Sequence, residues 1–204
     1  LVIISVKTPL VMPVLEECAA KGIKAAVVFT SGFGEVGEAG LMLQHQVKEA
    51  AARFGLRLLG PNSMGFINHL HQLHADFVYG YTPPPWSRET DAGIALISQS
   101  GGVGCSMLTA CADFGLGVSI YVCTGNEAAT GFADYLAYFA GHPEVKMIAA
   151  YLEGVRDGEK LGQAADLALA AGKPVVILKT GGHEASARAA RSHTGALAGS
   201  AAVY

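Results

Sequence analysis

One histidine near the end of the sequence, His193, lies among small residues and shortly after two arginines. The segment ARAARSHTGALAGS (187–200) places His193 directly before Thr194, Gly195 and an alanine-rich run that can open a helix. Imidazole is a nucleophile near neutral pH, arginine pairs with phosphate, and a helix N-terminus favours an anion. The pattern fits a phosphate-handling site, and its alternative is an ordinary histidine in a loop of small residues.

A second turn suited to an anion follows a predicted buried strand. The strand IALIS (94–98) leads into QSGG (99–102) and a helix predicted over 101–114. Hydroxyl groups and glycine N–H groups at a helix N-terminus form an anion cradle, although the same residues also serve as an ordinary helix cap. We expect phosphate to be held by Ser100, Gly101, Gly102, Thr194 and Gly195.

A carboxylate follows another predicted strand. Glu153 comes directly after VKMIAAYL (145–152) and precedes a glycine. There it can accept a hydrogen bond from an imidazole and fix its tautomer, whereas a solvated loop glutamate is the alternative. Ligands collect where the carboxyl ends of parallel strands meet. That edge is expected to gather residues 98–102, 125–127 and 153–154 and the loop up to His193.

The composition indicates a compact α/β protein. Of the 204 residues, 51% are hydrophobic and 15% charged, which suits deeply buried strands. The net charge of −3 gives no electrostatic case for nucleic acid or an anionic membrane, and no apolar run is long enough for a membrane span. The four cysteines form no C-x-x-C pair, so we expect free thiols in a cytoplasmic protein.

Alternating strands and helices are predicted along most of the sequence. The predicted strands are 1–6, 24–30, 56–59, 94–98, 117–123, 145–152 and 174–179. The predicted helices are 10–21, 37–54, 101–114, 130–140 and 158–171, with a last one starting near Gly195. This alternation is the signature of a parallel sheet.

A proline-rich segment interrupts the alternation. Residues 81–93 (YTPPPWSRETDAG) contain three consecutive prolines among polar residues, which is typical of a linker. We therefore predict an α/β chain with two Rossmann- or flavodoxin-like parallel-sheet domains, 1–80 and 94–204. The first half has only three predicted strands and begins within an apolar run. We accordingly expect the first domain to be incomplete at its N-terminus and the chain to be a fragment.

Two further motifs have the residue types of ligand sites. GFGEVG (32–37) matches the dinucleotide fingerprint G-x-G-x-x-G, but the next strand ends in LLGP (58–61), where a ribose-binding acid is expected. An NAD-binding oxidoreductase is the alternative this motif leaves open. HLHQLH (69–74) brings three histidines together without a Cys or carboxylate among them, so we expect a polar loop and no metal. The absence of G-x-x-x-x-G-K-[ST] excludes a P-loop from this chain.

Taken together, the motifs resemble those of the NDP-forming acyl-CoA synthetases, the superfamily that includes the α subunit of succinyl-CoA synthetase. The similarity spans nearly the whole sequence. Its most specific parts are RLLGPNSMGFIN (57–68), ALISQSGGVG (95–104), YLEGVRDG (151–158), KPVVILKTG (173–181) and ARAARSHTGALAGS (187–200). The last segment is the most specific of these, because the family's phosphorylated histidine lies in a segment of this form.

The resemblance implies a role for each candidate residue. It makes His193 the phosphohistidine and Glu153 the acid that orients it, with Ser100 and Gly101 in the phosphate cradle. Residues 1–80 resemble the later part of a CoA-binding domain. The residues in its CoA-facing segments are Val6, Phe29, Asn62 and Ser63.

The resemblance also implies a reaction and its partners. A carboxylic acid, CoA and ATP or GTP would give an acyl-CoA, the nucleoside diphosphate and phosphate, reversibly, through an acyl phosphate. The nucleotide and Mg²⁺ would be bound by an ATP-grasp domain or subunit absent from this chain, in an oligomeric enzyme. The alternative within the same superfamily is a regulatory region fused to a protein acetyltransferase, in which the histidine is often replaced.

Overall fold

The computed structural model describes residues 1–78 and 91–180, which form two β-sheets with connecting helices. The first sheet contains three parallel strands in the order β1-β2-β3. Its elements are β1 (Val2–Ile4), α1 (Val11–Ala20), β2 (Ala25–Val28), α2 (Glu38–Phe54) and β3 (Arg57–Leu59). Helix α2 ends because Gly55 takes the left-handed conformation, with φ of 64°, and closes the last turn.

The second sheet contains six strands in the order β5-β4-β7-β6-β8-β9. Its strands are β4 (Gly65–Asn68), β5 (Leu73–Asp76), β6 (Asp91–Ser98), β7 (Gly117–Cys123), β8 (Met147–Leu152) and β9 (Val175–Lys179). Its connecting helices are α3 (Gly101–Asp113), α4 (Phe132–Gly141) and α5 (Gly158–Ala170). Strands β6 to β9 are parallel, whereas β4 runs antiparallel to both β5 and β7. Strands that are covered on both faces of a sheet are apolar along their whole length. Strand β7 is of this kind, since every one of its residues is buried.

The predicted α/β class with parallel sheets is confirmed, but the hairpin formed by β4 and β5 was not predicted. Each of its strands has only four residues, and the turn between them carries most of the histidine-rich segment. Neither strand is a continuous apolar run, so the local pattern gives little strand signal. Pairing with the buried strand β7 stabilises the hairpin instead, which is a tertiary effect.

The hairpin also shows how the two halves of the chain are joined. It precedes the proline-rich segment in sequence, yet it is hydrogen-bonded to the second sheet. Strand β6 begins at Asp91, three residues before the predicted strand, so the end of the segment 81–93 is already part of the sheet. The predicted helix near Gly195 falls in the part of the chain that is not described. Within residues 1–78 and 91–180, no helix is long and apolar enough to cross a membrane. All four cysteines are free thiols.

Candidate active site

The carboxyl ends of four parallel strands meet at one edge of the second sheet. Ser98, the last residue of β6, is in register with Cys123 of β7 and Tyr151 of β8. Leu152 of β8 is in register with Lys179 of β9. The turns that follow these strands therefore lie side by side, and they contain residues 99–102, 124–127 and 153–154. His193, Thr194 and Gly195 belong to the segment 181–204, which the structure does not describe.

The turn after β6 caps helix α3. Ser100 is the N-cap residue, and its Oγ accepts a hydrogen bond from the N–H of Val103 at 3.4 Å. The hydroxyl is thus used by the helix itself, but the first-turn N–H groups of Gly101 and Gly102 have no acceptor within the helix. A Cβ on Gly101 would lie 2.4 Å from Sδ of Met64, while one on Gly102 would meet no atom within 4 Å. A side chain at position 101 would require Met64 to move, whereas Gly102 leaves the helix start open.

Glu153 is buried at the end of β8, with only 5% of its surface exposed. Its N–H donates to Oε1 of Gln99 at 2.7 Å, and its carbonyl accepts from Nζ of Lys179 at 3.1 Å. Its side-chain atom Oε2 is fully buried and has no hydrogen-bond partner within the described part of the chain. Leaving a buried acceptor unpaired costs about 1–3 kcal/mol, and more when it is charged. The position therefore calls for a hydrogen-bond donor.

Gln99 connects the turn before α3 to the loop after β8. Its Oε1 accepts from the N–H groups of Glu153 and Gly154, at 2.7 and 3.0 Å. Its Nε2 donates to the carbonyl of Gly154 and to Oε1 of Glu127, both at 2.9 Å. The oxygen meets only donors and the nitrogen only acceptors, so the amide has one orientation that satisfies all four contacts.

Glu127 lies in the turn between β7 and α4, with φ of 56° in the left-handed region that residues other than glycine seldom adopt. Its Oε1 accepts from Oγ1 of Thr124 at 2.8 Å and from the N–H of Phe132 at 3.1 Å, in addition to Gln99. Burial raises the pKa of Glu127 above its ordinary value of 4.5, and hydrogen bonds from Gln99 and Thr124 offset part of that rise.

Lys179 brings a positive charge to the same edge at the end of β9. Its Nζ donates to the carbonyls of Glu153 and Thr180. Burial lowers the pKa of Lys179, and the nearby carboxyl group of Glu153 opposes that shift. Lys179 is the second lysine of the motif KPVVILKTG (173–181) and was not predicted as a site residue. The one sequence feature that could have indicated it is its position at the end of an apolar strand.

Three of the four expected CoA-binding residues gather at the carboxyl edge of the first sheet. Oγ1 of Thr30 donates to the carbonyl of Val6 at 2.7 Å, and the N–H of Asn62 donates to the carbonyl of Thr30 at 2.9 Å. Val6 and Phe29 line an open cleft of about 670 Å³. Phe77 stands in the same cleft, edge-to-face with Phe29 at a centroid distance of 4.7 Å.

Ser63 differs from these three residues because its side chain is buried and already engaged. Its Oγ donates to the carbonyl of Cys123 at 2.5 Å and accepts from the N–H of Gly65 at 2.8 Å. Only 1% of Ser63 is exposed. Its hydroxyl therefore ties the segment after β3 to the end of β7 and does not face the cleft.

In the glycine-rich loop that matches the dinucleotide fingerprint, backbone N–H groups are already hydrogen-bonded to a glutamate of the same loop. The carboxylate of Glu35 accepts hydrogen bonds from the N–H groups of Gly32 and Phe33, and Gln44 accepts from the N–H of Gly34 at 3.1 Å. These are N–H groups that a pyrophosphate would need. A dinucleotide would have to displace a carboxylate here, which disfavours the oxidoreductase alternative.

The histidine-rich segment 69–74 contains the turn of the β4–β5 hairpin and the first two residues of β5. The rings of His69 and His74 are edge-to-face at 5.1 Å, and Nδ1 of His74 lies 3.9 Å from Asp76. Burial lowers the pKa of His69, and His74 lowers it further. Across residues 1–78 and 91–180, no group of three His, Cys, Asp or Glu residues is arranged to hold a metal ion.

Sheet order and crossover helices place the second half of the chain in the flavodoxin-like class. Residues 91–204 match the family described as the succinyl-CoA ligase like flavodoxin domain, and the chain belongs to this family. The predicted membership of the NDP-forming acyl-CoA synthetase superfamily is thereby confirmed.

Curated relatives match the chain along its whole length. It is 38% identical over 204 residues to subunit alpha of the ADP-forming acetate–CoA ligase II of Pyrococcus furiosus, covering 100% of this chain and 43% of that protein. It is also 38% identical over 204 residues to the ADP-forming acetate–CoA ligase of Methanocaldococcus jannaschii, of which it covers 27%.

A solved structure shares the fold. The dinucleotide forming acetyl-coenzyme A synthetase 1 of Ca. Korarchaeum cryptofilum, in complex with phosphate and ADP, matches with a TM-score of 0.86 and 36% identity. The match covers 100% of this chain and 42% of that one. The chain therefore spans less than half the length of each of these three proteins.

Proposed function

We propose that this chain forms part of an NDP-forming acid–CoA ligase. A carboxylic acid, CoA and ATP or GTP give an acyl-CoA, the nucleoside diphosphate and phosphate, in a reversible reaction. The ligases to which the chain is similar support this reaction class. They and the presence of His193 favour it over the regulatory region of a fused protein acetyltransferase.

The observation that carries the proposal is the unpaired Oε2 of Glu153. This buried oxygen lies at the sheet edge that also holds the open start of helix α3. An imidazole N–H from His193 would supply the missing donor and leave the other ring nitrogen unprotonated for attack on phosphorus. The positive end of the α3 dipole and the N–H groups of Gly101 and Gly102 would then stabilise the phosphate, together with Thr194 and Gly195.

The chemistry is a relay of one phosphoryl group. An N–P bond forms at His193 as the bond between the terminal phosphoryl group and the nucleoside diphosphate breaks. A carboxylate oxygen of the acid then attacks the phosphorus, which breaks the N–P bond and gives an acyl phosphate. Attack of the CoA sulfur on the acyl carbon releases phosphate, and the thiol proton passes to solvent. The carboxylate of Glu153 stabilises the positive charge that the ring carries while it is phosphorylated, and departure of the phosphoryl group returns the neutral imidazole.

The proposed CoA site lies in the first half of the chain. The cleft beside β1 and β2 offers the apolar side chains of Val6 and Phe29 together with the polar Thr30, whose carbonyl accepts a hydrogen bond from the N–H of Asn62. Such a mixture suits a ligand with a long, partly apolar arm. Ser63 supports the site from beneath by holding the backbone after β3.

Further parts of the protein complete the proposal. The covered shares of 43% and 27% of the two curated ligases leave room for an ATP-grasp domain or subunit, which would bind the nucleotide and Mg²⁺. We place the assembly in the cytoplasm as an oligomer.

Labelling of the complete enzyme with terminally labelled nucleotide tests the proposal. His193→Ala should abolish an acid- and heat-labile, alkali-stable phosphoryl label, and Glu153→Gln should slow labelling on the order of 10²-fold while the fold is kept. His45→Ala, on the exposed side of α2, is the matched control and should label normally. Undiminished labelling of His193→Ala would falsify the proposal.

A further inference from the structure

We propose that Glu127 is a positioning residue for phosphoryl transfer, because it holds Gln99 and, through it, Glu153. This inference rests on the proposed function, since it matters only if Glu153 orients the phosphorylated histidine. Glu127 and Glu153 do not bond to each other. The amide of Gln99 lies between them and is bonded to both residues.

Gln99 fixes the backbone of Glu153 from a position 54 residues away in sequence. Its oxygen takes the N–H groups of both Glu153 and Gly154, so the direction in which the chain leaves β8 is set by one amide. The carbonyl of Gly154 is held by the same amide through Nε2. A rotation of Gln99 would break three contacts to this loop at once and would displace the side chain of Glu153.

Glu127 prevents that rotation. Its Oε1 accepts the remaining hydrogen of Gln99 Nε2 and is itself held by donors from two elements, Thr124 at the end of β7 and Phe132 at the start of α4. Three donors converge on one oxygen, so the position of that oxygen is set by the strand and the helix. The restraint thus passes from these elements through Glu127 to Gln99.

The turn that carries Glu127 is itself anchored to the first half of the chain. The neighbouring Asn126 donates to Oε1 of Gln44 at 3.0 Å and to Glu35, and it accepts from Nδ2 of Asn62 at 3.2 Å. The N–H of Ala128 donates to the carbonyl of Gly60 at 2.9 Å. These contacts on both sides of Glu127 keep the left-handed backbone at this residue in place.

Three substitutions of Glu127 separate the effect of its acceptor position from the effect of its negative charge. Glu127→Gln keeps a carbonyl oxygen where Oε1 lies, so it can accept the same three hydrogen bonds without a charge. Glu127→Asp keeps the charge but withdraws the oxygen by one methylene. Glu127→Ala removes the acceptor altogether. If Glu127 acts by holding Gln99, the glutamine variant should be active and the other two impaired.

The test uses the complete enzyme with its nucleotide-binding partner. Phosphorylation of His193 should slow about tenfold in Glu127→Asp and Glu127→Ala, the factor expected for one lost hydrogen bond of about 1.4 kcal/mol. Glu127→Gln should stay within about threefold of the unmodified enzyme. The change should appear in kcat, with KM for nucleotide and for CoA unchanged, because Glu127 is buried and the proposal gives it no contact with either ligand.

A double-mutant cycle with Gln99→Ala tests the link itself. Gln99→Ala should slow phosphorylation at least as much as Glu127→Ala, and the double variant should be no slower than Gln99→Ala alone. Asp134→Ala is the control: Asp134 caps α4 by accepting from the N–H of Gly131 at 3.0 Å, so its loss should lower stability without slowing phosphorylation. Should Glu127→Ala fail to fold, the cycle is run with Glu127→Asp.

The outcomes distinguish failure of the positioning role of Glu127 from failure of the proposed ligase function. Independent effects of Glu127→Ala and Gln99→Ala, or a glutamine variant as slow as the alanine variant, would overturn the positioning role while labelling still depends on His193. Labelling that persists in His193→Ala would instead overturn the proposed function.

Discussion

A methyl group added at Gly104 in helix α3 should destabilise the protein because it would clash with two buried side chains. A Cβ there would lie 2.4 Å from the hydroxyl oxygen of Tyr121, 2.9 Å from Cβ of Ser98 and 3.0 Å from a ring carbon of Tyr121. Tyr121 and Ser98 are fully buried in adjacent central strands, so neither can move aside freely. Overpacking of this kind costs about 1–3 kcal/mol.

A matched glycine gives the opposite expectation. Gly162 also lies within a helix of 13 residues, α5, but a Cβ there would meet no atom within 4 Å. Gly162→Ala should therefore stabilise the protein by about 0.5–1 kcal/mol, because alanine restricts the unfolded chain and favours helix. Gly104→Ala has the same propensity gain and must overcome the clash, so we expect a net loss of about 1–2 kcal/mol.

Tyr121→Phe shows whether the clash is the cause. It removes the atom nearest to the added methyl group and also a buried hydroxyl that has no hydrogen-bond partner in the described part of the chain. Tyr121→Phe should thus be neutral or stabilising alone and should restore much of the stability lost in Gly104→Ala. Thermal unfolding compares the unmodified protein with the three single variants and the Gly104→Ala/Tyr121→Phe double variant, with about 2–4 °C expected per kcal/mol at this size. Equal unfolding temperatures for Gly104→Ala and Gly162→Ala would refute the reasoning.

Two further predictions concern pH and the junction of the two halves. Because the folded protein raises the pKa of Glu127 above 4.5, it retains the proton to higher pH than the unfolded chain. The unmodified protein should therefore lose stability relative to Glu127→Gln as pH rises from about 4.5 through the raised pKa; urea unfolding at several pH values checks this, and a pH-independent difference would contradict it. Ser63→Ala should lower the unfolding free energy by about 1–3 kcal/mol, because it leaves the carbonyl of Cys123 and the N–H of Gly65 unpaired. Urea unfolding that matches the unmodified protein would show that these groups find other partners.

The regular elements of this chain were largely predictable because burial on both faces leaves a strong local signal. Strand β7 was predicted over 117–123 and is observed as Gly117–Cys123, and helix α3 was predicted over 101–114 and ends at Asp113. The placement of residues 125–127 and 153–154 at one edge also followed from strand direction alone. The β4–β5 hairpin did not, since it depends on pairing with β7 and on core contacts of residues such as Ile67 and Ala75, which the local pattern does not show.

The side-chain links at the site could not be predicted in the same way. Gln99 lies in the motif ALISQSGGVG (95–104), but the sequence alone does not indicate its role. Its partners Glu127 and Glu153 are brought to it by the fold and not by local spacing. Local sequence likewise does not show that the hydroxyl of Ser63, in a segment expected to face CoA, is hydrogen-bonded within the protein. That hydroxyl points to β7, a strand that begins more than 50 residues later.

One buried carboxylate oxygen, Oε2 of Glu153, distinguishes this site from an ordinary structural hydrogen-bond network. Both polar atoms of the Gln99 amide and the Oε1 atom of Glu127 have hydrogen-bond partners at this edge of the sheet. In contrast, Oε2 of Glu153 has no partner among the described residues. A purely structural glutamate would be expected to satisfy both oxygens, because an unpaired buried acceptor is unfavourable. A residue whose backbone is held by two neighbours while its carboxylate stays unpaired is instead arranged to receive a donor from elsewhere. The proposed function assigns that donor to His193, whose segment follows β9 in the sequence, and β9 pairs with β8, the strand that Glu153 follows.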